Sequence, residues 1–192
     1  MQPTQKSDRQ LITQYIAGEE KAFELLLERH QSRVYTSIYL FVKDEQIAED
    51  LFQDTFIKVI DTLRTGRYND EGKFGQWVVR IAHNLCVDHF RRNRRMPTVA
   101  PTETHDVFND MRFSDTSHES DIIQRQTLER VRFLVDSLPD EQREVVILRH
   151  YGDLSFKEIA DSTNVSINTA LGRMRYALMN IRKMMAEHQI SL

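Results

Sequence analysis

Between Ser166 and Lys183 the chain carries Asn168, Thr169, Gly172, Arg173, Arg175, Tyr176, Arg182 and Lys183, and no Asp or Glu. The four cations of this short stretch, Arg173, Arg175, Arg182 and Lys183, give it a charge of +4. Cations at that density attract phosphates, and Asn, Arg and Tyr side chains carry the donors and acceptors that read base edges. The chemistry is recognition of nucleic acid rather than bond breaking. The plainer alternative is a solvated basic helix on an ordinary helical bundle.

A second grouping, His83, Cys86 and His89, has metal-ligand residue types spaced by three. Consecutive steps of three drift around a helix, and no fourth ligand stands nearby, so Cys86 reads better as a small core residue. The sequence has no phosphate-binding glycine loop, no nucleophile and base in a recognisable order, and no paired carboxylates in a plausible cleft. No catalytic residue, metal or cofactor is expected, and no small-molecule substrate.

The basic stretch belongs to a longer pattern at residues 154–181, LSFKEIADSTNVSINTALGRMRYALMNI, which reads as two helices across a tight turn. Ser155 followed three residues later by Glu158 is a capping box, starting the first helix at Phe156. Phe156, Ile159 and Ala160 fall on one face, and the small Ala160 permits close helix approach. Asn164 suits the left-handed conformation of a chain reversal, Val165 plugs the turn, and Ser166 can cap the second helix. Ile167, Ala170, Met174, Leu178, Ile181 and Met185 form an i, i+3, i+4 stripe and are the expected core side. This is the shape of a helix-turn-helix, whose second helix enters the DNA major groove.

Composition bounds the rest. The 192 residues are 40% hydrophobic, 9% aromatic and 29% charged, with 6 Gly and 4 Pro, and strand-like alternation is missing. The expected fold class is all-α, with two small helical domains joined by a flexible linker and the helix-turn-helix in the second. The single cysteine excludes an intramolecular disulfide and suits a reducing cytosol, so a cytoplasmic location is expected. No apolar run approaches a membrane span, and the first residues, MQPTQKSDRQ, lack a signal-peptide core.

The formal net charge of −3 looks wrong for a DNA binder, but charge is segregated along the chain. Residues 43–61 sum to −4, residues 76–95 to +4 and residues 96–121 to −5. A protein that bound DNA by simple phosphate neutralisation would not be built this way, whereas a component of a larger machine could be.

Residues 8–30 read as a helix with a break at Gly18, residues 31–43 as a second, residues 44–63 as a third and residues 73–94 as a fourth. The third buries Ile47, Leu51, Phe52, Thr55, Phe56, Val59 and Ile60. The inner stripe of the fourth is Phe74, Trp77, Val78, Ile81 and Leu85, with Phe90 at its end. A polar loop at residues 65–72 separates these two. Residues 95–120 hold Pro97 and Pro101, are acidic and lack periodicity, as a linker does. A second helical unit starts near Asp121. Pro139 suits a helix's first turn, and Gly152 ends the helix before the helix-turn-helix.

Three further segments carry a family likeness together with the helix-turn-helix. They are AEDLFQDTFIKVI at residues 48–60, FGQWVVRIAHNLCVDHFRRNRR at residues 74–95 and SLPDEQREVVILRHYGDLSFKEIA at residues 137–160. In this order, with a linker between the second and third, they resemble the bacterial RNA polymerase sigma factors of the extracytoplasmic-function group. The resemblance covers nearly the whole chain. It implies a first domain at residues 1–95 that binds the polymerase clamp and melts and recognises the minus-ten promoter element. It implies a linker at 96–120 and a second domain at 121–192 that binds the polymerase flap and reads the minus-thirty-five element.

On that resemblance Glu49, Asp50, Gln53 and Asp54 would meet a basic surface of the core polymerase. The loop around Arg67, Tyr68 and Asn69 is placed to build a pocket for a flipped base. Arg80, Asn84, Asp88, Arg91 and Arg92 would hold the melted strand, with Asn84 and Asp88 one turn apart on one face. Trp77 suits either the core or base stacking. Asn168, Thr169, Gly172, Arg173, Arg175 and Tyr176 would contact the upstream element. Here the chain departs from the family, which often carries a basic residue and then Ser where this sequence has Leu171 and Gly172, so Arg175 and Tyr176 become the better readers. The resemblance also implies an anti-sigma factor, often at the membrane, covering the polymerase-binding faces. The linker's charge mimics nucleic acid and suggests, through Asp106, Asp110 and Asp115, that it enters the polymerase's RNA channel.

Two other functions compete with a sigma factor. One is a stand-alone helix-turn-helix regulator with a sensor domain, which polymerase dependence of DNA binding would separate. The other is a metal-dependent enzyme or redox sensor using His83, Cys86 and His89, which a metal assay would separate.

Overall fold

A computed structural model of the chain describes residues 6–95, 130–131 and 133–188. The expected linker at 96–120, with Asp106, Asp110 and Asp115, and the start of the second unit near Asp121 lie outside the described residues. Within them the regular structure is helical, and the chain divides into two compact units. No helix among the described residues is long and apolar enough to cross a membrane.

The first unit holds α1 (Asp8–Ile16), α2 (Glu20–Val42), α3 (Glu45–Arg64) and α4 (Phe74–Arg95). Ser7 starts α1 through a capping box with Gln10, its backbone N–H donating to Gln10 Oε1 at 2.9 Å. Gly18, at φ +101°, turns the chain into α2, as the sequence predicts. The expected second break near residue 31 does not occur, and α2 runs unbroken for 23 residues. Its apolar stripe, Phe23, Leu26, Val34 and Ile38, keeps phase through that region. His30 looks like a polar interruption in sequence, but it turns inward and pairs with Asp8 of α1 at 2.9 Å.

Lys43 ends α2 in the left-handed conformation, and Asp44 caps α3 by accepting from Ile47 N–H at 3.0 Å. The α2 helix packs against α1, α3 and α4 around Leu11, Leu26, Ile38, Val59, Leu63, Phe74 and Val78. Each such side chain contributes roughly 1.5–3 kcal/mol on burial. The buried hydroxyls of Thr55 and Ser37 are satisfied within their own helices, Thr55 donating to Leu51 O at 2.6 Å and Ser37 to Val34 O at 2.7 Å.

In α4 the buried face is broader than the expected stripe. It takes in Val79, Ala82, His83 and Cys86, while Phe90 lies exposed near the helix end. Gly75 allows α4 to lie close to α2, because a Cβ there would come within 2.9 Å of His30 Nδ1.

The second unit contains helical residues 133–136, then α5 (Asp140–His150), α6 (Phe156–Thr163) and α7 (Ile167–Glu187). Pro139 stands just before α5 and its carbonyl accepts from Gln142 and Arg143 N–H, both at 2.9 Å. Leu134, Val145, Ile147, Leu148, Leu154 and Ile159 fill the core, with Ala170 and Ala177 of α7 closing it.

The expected core stripe of α7 is rotated. Ile167 and Leu178 are exposed, Met174, Ile181 and Met185 are half-buried, and Ala177 is fully buried. The two alanines bring the α7 backbone close to α5 and α6, which leaves the longer apolar side chains at the flanks of the contact.

Candidate nucleic-acid and polymerase interfaces

The turn between α6 and α7 is built as its residues suggest. Ser155 Oγ accepts from Glu158 N–H at 3.3 Å while Glu158 Oε2 accepts from Ser155 N–H at 2.8 Å. Asn164 takes the left-handed conformation, at φ 54° and ψ 44°, and Val165 N–H then donates to Ala160 O at 3.0 Å. Ser166 caps α7 by accepting from Thr169 N–H at 3.1 Å. Reversal and recapping within three residues fix the angle at which α7 leaves the turn.

Of the candidate readers on α7, Asn168, Thr169, Arg175 and Tyr176 are exposed, and Gly172 lies between them. Thr169 Oγ1 is also within 2.9 Å of the Ser166 hydroxyl. Arg173 sits differently from the expectation of an open cation. It is only 19% exposed, and its guanidinium faces α5, 3.2 Å from Glu141 and 3.9 Å from Glu144. Glycine inside a helix costs roughly 1 kcal/mol against alanine. At Gly172 an added Cβ would meet nothing within 4 Å, so the fold itself does not call for that glycine.

In the first unit the outer side of α3 exposes Glu49, Asp50, Gln53 and Asp54 together. Ile57, one turn further on, is 62% exposed on the same face. Sequence reading missed it, although an isoleucine out of phase with the buried stripe is the available signal. Tyr35 borders this region with its ring edge-on to Phe52 at 5.9 Å, and burial together with Glu45 and Glu49 raises its phenol above the usual value.

The loop after α3 is held by its own residues. Arg67 donates to Thr65 Oγ1 at 2.9 Å and to Asp61 at 2.5 Å, so its charge is already compensated. Tyr68 lies on Trp77 with ring centroids 4.5 Å apart, and Phe74 adjoins both rings at 6.0 and 5.8 Å. Burial, reinforced by the Asp70 carboxylate, pushes the Tyr68 phenol up to about 12, so it stays a neutral donor. Trp77 is thus a half-buried member of a three-ring cluster under the loop.

Along α4, Asn84, Arg91 and Arg92 are exposed, and Asp88 lies 3.8 Å from Arg91. Arg80 is half-buried, with its Nε buried and without a hydrogen-bond partner. The His83, Cys86 and His89 side chains go separate ways. His83 packs on Phe41 at 5.1 Å, burial pushes the Cys86 thiol up to about 12, and His89 pairs with Asn93 at 2.8 Å.

A helix-turn-helix with an exposed polar face defines a DNA-binding protein. The acidic face on α3 suits a component of a larger machine, as the segregated charge allows. Residues 26–96 match the family described as Sigma-70 region 2, and residues 128–184 match Sigma-70, region 4. The chain is 30% identical over 175 residues to the RNA polymerase sigma-H factor of Pseudomonas aeruginosa, covering 89% of this chain and 90% of that protein. It is 25% identical over 183 residues to the ECF RNA polymerase sigma factor SigW of Bacillus subtilis, covering 92% and 95%. Its fold is similar to that of the sigma factor RpoE solved in complex with the anti-sigma factor NepR from Bartonella quintana. That match has a TM-score of 0.63 and 18% identity, and covers 86% of this chain and 98% of that one. The chain belongs to the extracytoplasmic-function group of sigma-70-type sigma factors, and it serves RNA polymerase in promoter recognition.

Proposed function

We propose that residues 1–95 act as the region-two domain, residues 96–120 as the linker and residues 121–192 as the region-four domain of a cytoplasmic initiation factor with no catalysis of its own. In the first domain the exposed Glu49, Asp50, Gln53 and Asp54 dock on the clamp of core RNA polymerase, with Ile57 as an apolar anchor among them. An apolar side chain ringed by charge is the common form of an interface hot spot. Opposite charge across the contact speeds encounter and sets register.

Promoter opening falls to α4 and the loop before it. Asn84 and Asp88 meet base edges of the minus-ten element, while Arg80, Arg91 and Arg92 hold phosphates of the freed strand. Tyr68 and Trp77 supply an aromatic surface beside the loop. In the second domain α7 reads the minus-thirty-five element through Asn168, Thr169, Gly172, Arg175 and Tyr176, Arg173 braces the helix on α5, and the domain docks on the polymerase flap. An anti-sigma factor, membrane-anchored in some systems, would cover the polymerase-binding faces. The relative solved with NepR supports that reading.

The observation that carries this reading is the pairing, within one chain, of an acidic exposed face on α3 with an acid-free reading face on α7. The test is promoter binding and transcription with and without core polymerase. Weak binding by the protein alone, with specific start sites once core enzyme is added, is the expected result. Tight binding to a discrete site that core enzyme does not change would identify a stand-alone regulator instead.

A further inference from the structure

We infer that Gly172 is a clearance point, where the missing Cβ lets the backbone of α7 lie against the base edges of the upstream promoter element. This rests on the reading of α7 as the helix that enters promoter DNA. Gly18, Gly66 and Gly72 are required by their positive φ, and Gly75 by the His30 ring against it. Gly172 has neither reason: its backbone is helical, and a Cβ there would meet only open space. Inside the domain alanine would serve better, since glycine loses more backbone freedom in a helix. The use of the glycine therefore lies outside the domain.

Its position says where. Residues three and four apart are neighbours on a helix surface, so Gly172 is flanked by Asn168, Thr169, Arg175 and Tyr176, all exposed. A bare stretch of backbone sits in the middle of four side chains able to hydrogen-bond base edges. Ala170 faces inward and Leu171 stands exposed beside the notch, so neither offers the same clearance. Tightly seated, the four side chains straddle the bases that the backbone touches. A methyl group at residue 172 would hold the helix off, and hydrogen bonds weaken steeply as their geometry departs from ideal.

The test uses the full chain assembled with core RNA polymerase. One duplex is a promoter that the wild-type holoenzyme selects from genomic fragments, and the other is the same promoter with its upstream element scrambled. Gly172→Ala is expected to weaken binding to the intact promoter roughly 5- to 100-fold, the size of one mismatched base pair, and to leave the scrambled duplex unchanged. The same substitution should raise the melting temperature of the C-terminal unit by about 4–8 °C, a gain that a purely structural role would not combine with lost binding. Wild-type affinity in Gly172→Ala, with discrimination lost in Asn168→Ala and Arg175→Ala, overturns the clearance role alone. An equal loss on both duplexes does the same. Full discrimination in Asn168→Ala and Arg175→Ala would remove the reading of α7, and this inference with it.

Discussion

Arg173 Nη2 lies 3.2 Å from Glu141 Oε2, tying the middle of α7 to the first turn of α5. A cation on α7 is thereby compensated inside its own domain, while Arg175, two residues on, stays exposed. Arg173→Ala should therefore lower the stability of the C-terminal unit by about 1 kcal/mol, through lost packing as much as lost charge, because Glu141 is itself well exposed. Arg175→Ala should leave stability unchanged and cost about 1–3 kcal/mol of discrimination between the intact promoter and one with its upstream element scrambled. Thermal melting and holoenzyme binding to the intact and scrambled promoters separate the two arginines. Interchanged results would place Arg173 on the DNA.

Asn164 holds the left-handed turn between α6 and α7 at φ 54°. Asn164→Val should cost about 1–2 kcal/mol, because a branched side chain crowds the backbone in that conformation, whereas Asn164→Gly should be neutral or better. Circular-dichroism melts of the two variants check this. Equal stability in both would mean that the turn can take another conformation.

Ile57 is an exposed apolar side chain beside Glu49, Asp50, Gln53 and Asp54. Ile57→Asp is expected to weaken the affinity for core polymerase by about 2 kcal/mol or more, while leaving the unfolding midpoint of the free protein in place. Equilibrium binding to purified core enzyme is the measurement. Unchanged affinity would limit the contact to the charged residues.

His30 gives the first unit a pH dependence. Burial holds its imidazole below the ordinary 6.5, outweighing the raising effect of Asp8; Arg29 and Arg33 also oppose protonation. A depressed folded value means that the unfolded chain takes up the proton first. The stability due to the neutral ring is present above about pH 6.5 and is lost as pH falls through the lower folded value. Urea unfolding followed by the single Trp77 should show a lower midpoint at pH 5.5 than at pH 7.5, and His30→Gln should lessen the difference. A higher wild-type midpoint at pH 5.5 would mean that the Asp8 pair carries a protonated imidazole.

Gly75→Ala tests the same packing from the other side. Its Cβ would press on the His30 ring, which Asp8 and Phe74 hold in place, so a destabilisation of about 1–3 kcal/mol is expected in the first unit. The Trp77 unfolding curve reads this loss as well.

Much of the architecture was legible in short stretches of chain. The Ser155–Glu158 box, the reversal at Asn164, the Ser166 cap and the Gly18 break each rest on hydrogen bonds or backbone angles spanning a few residues, so the residue types disclosed them. The family followed from ordered motifs of the same local kind. What stayed hidden depends on how whole helices roll against each other. Periodicity alone put Ile167 and Leu178 in the core of α7, but the contact formed through Ala170 and Ala177, whose small side chains let the backbones close up. His30 resembled the end of a helix because Asp8, which draws it inward, comes from α1. Arg173 resembled a phosphate contact because Glu141 and Glu144 come from a different helix. Caps and turns obey neighbours in sequence, whereas the rotation of a helix and the pairing of its charges obey neighbours in space.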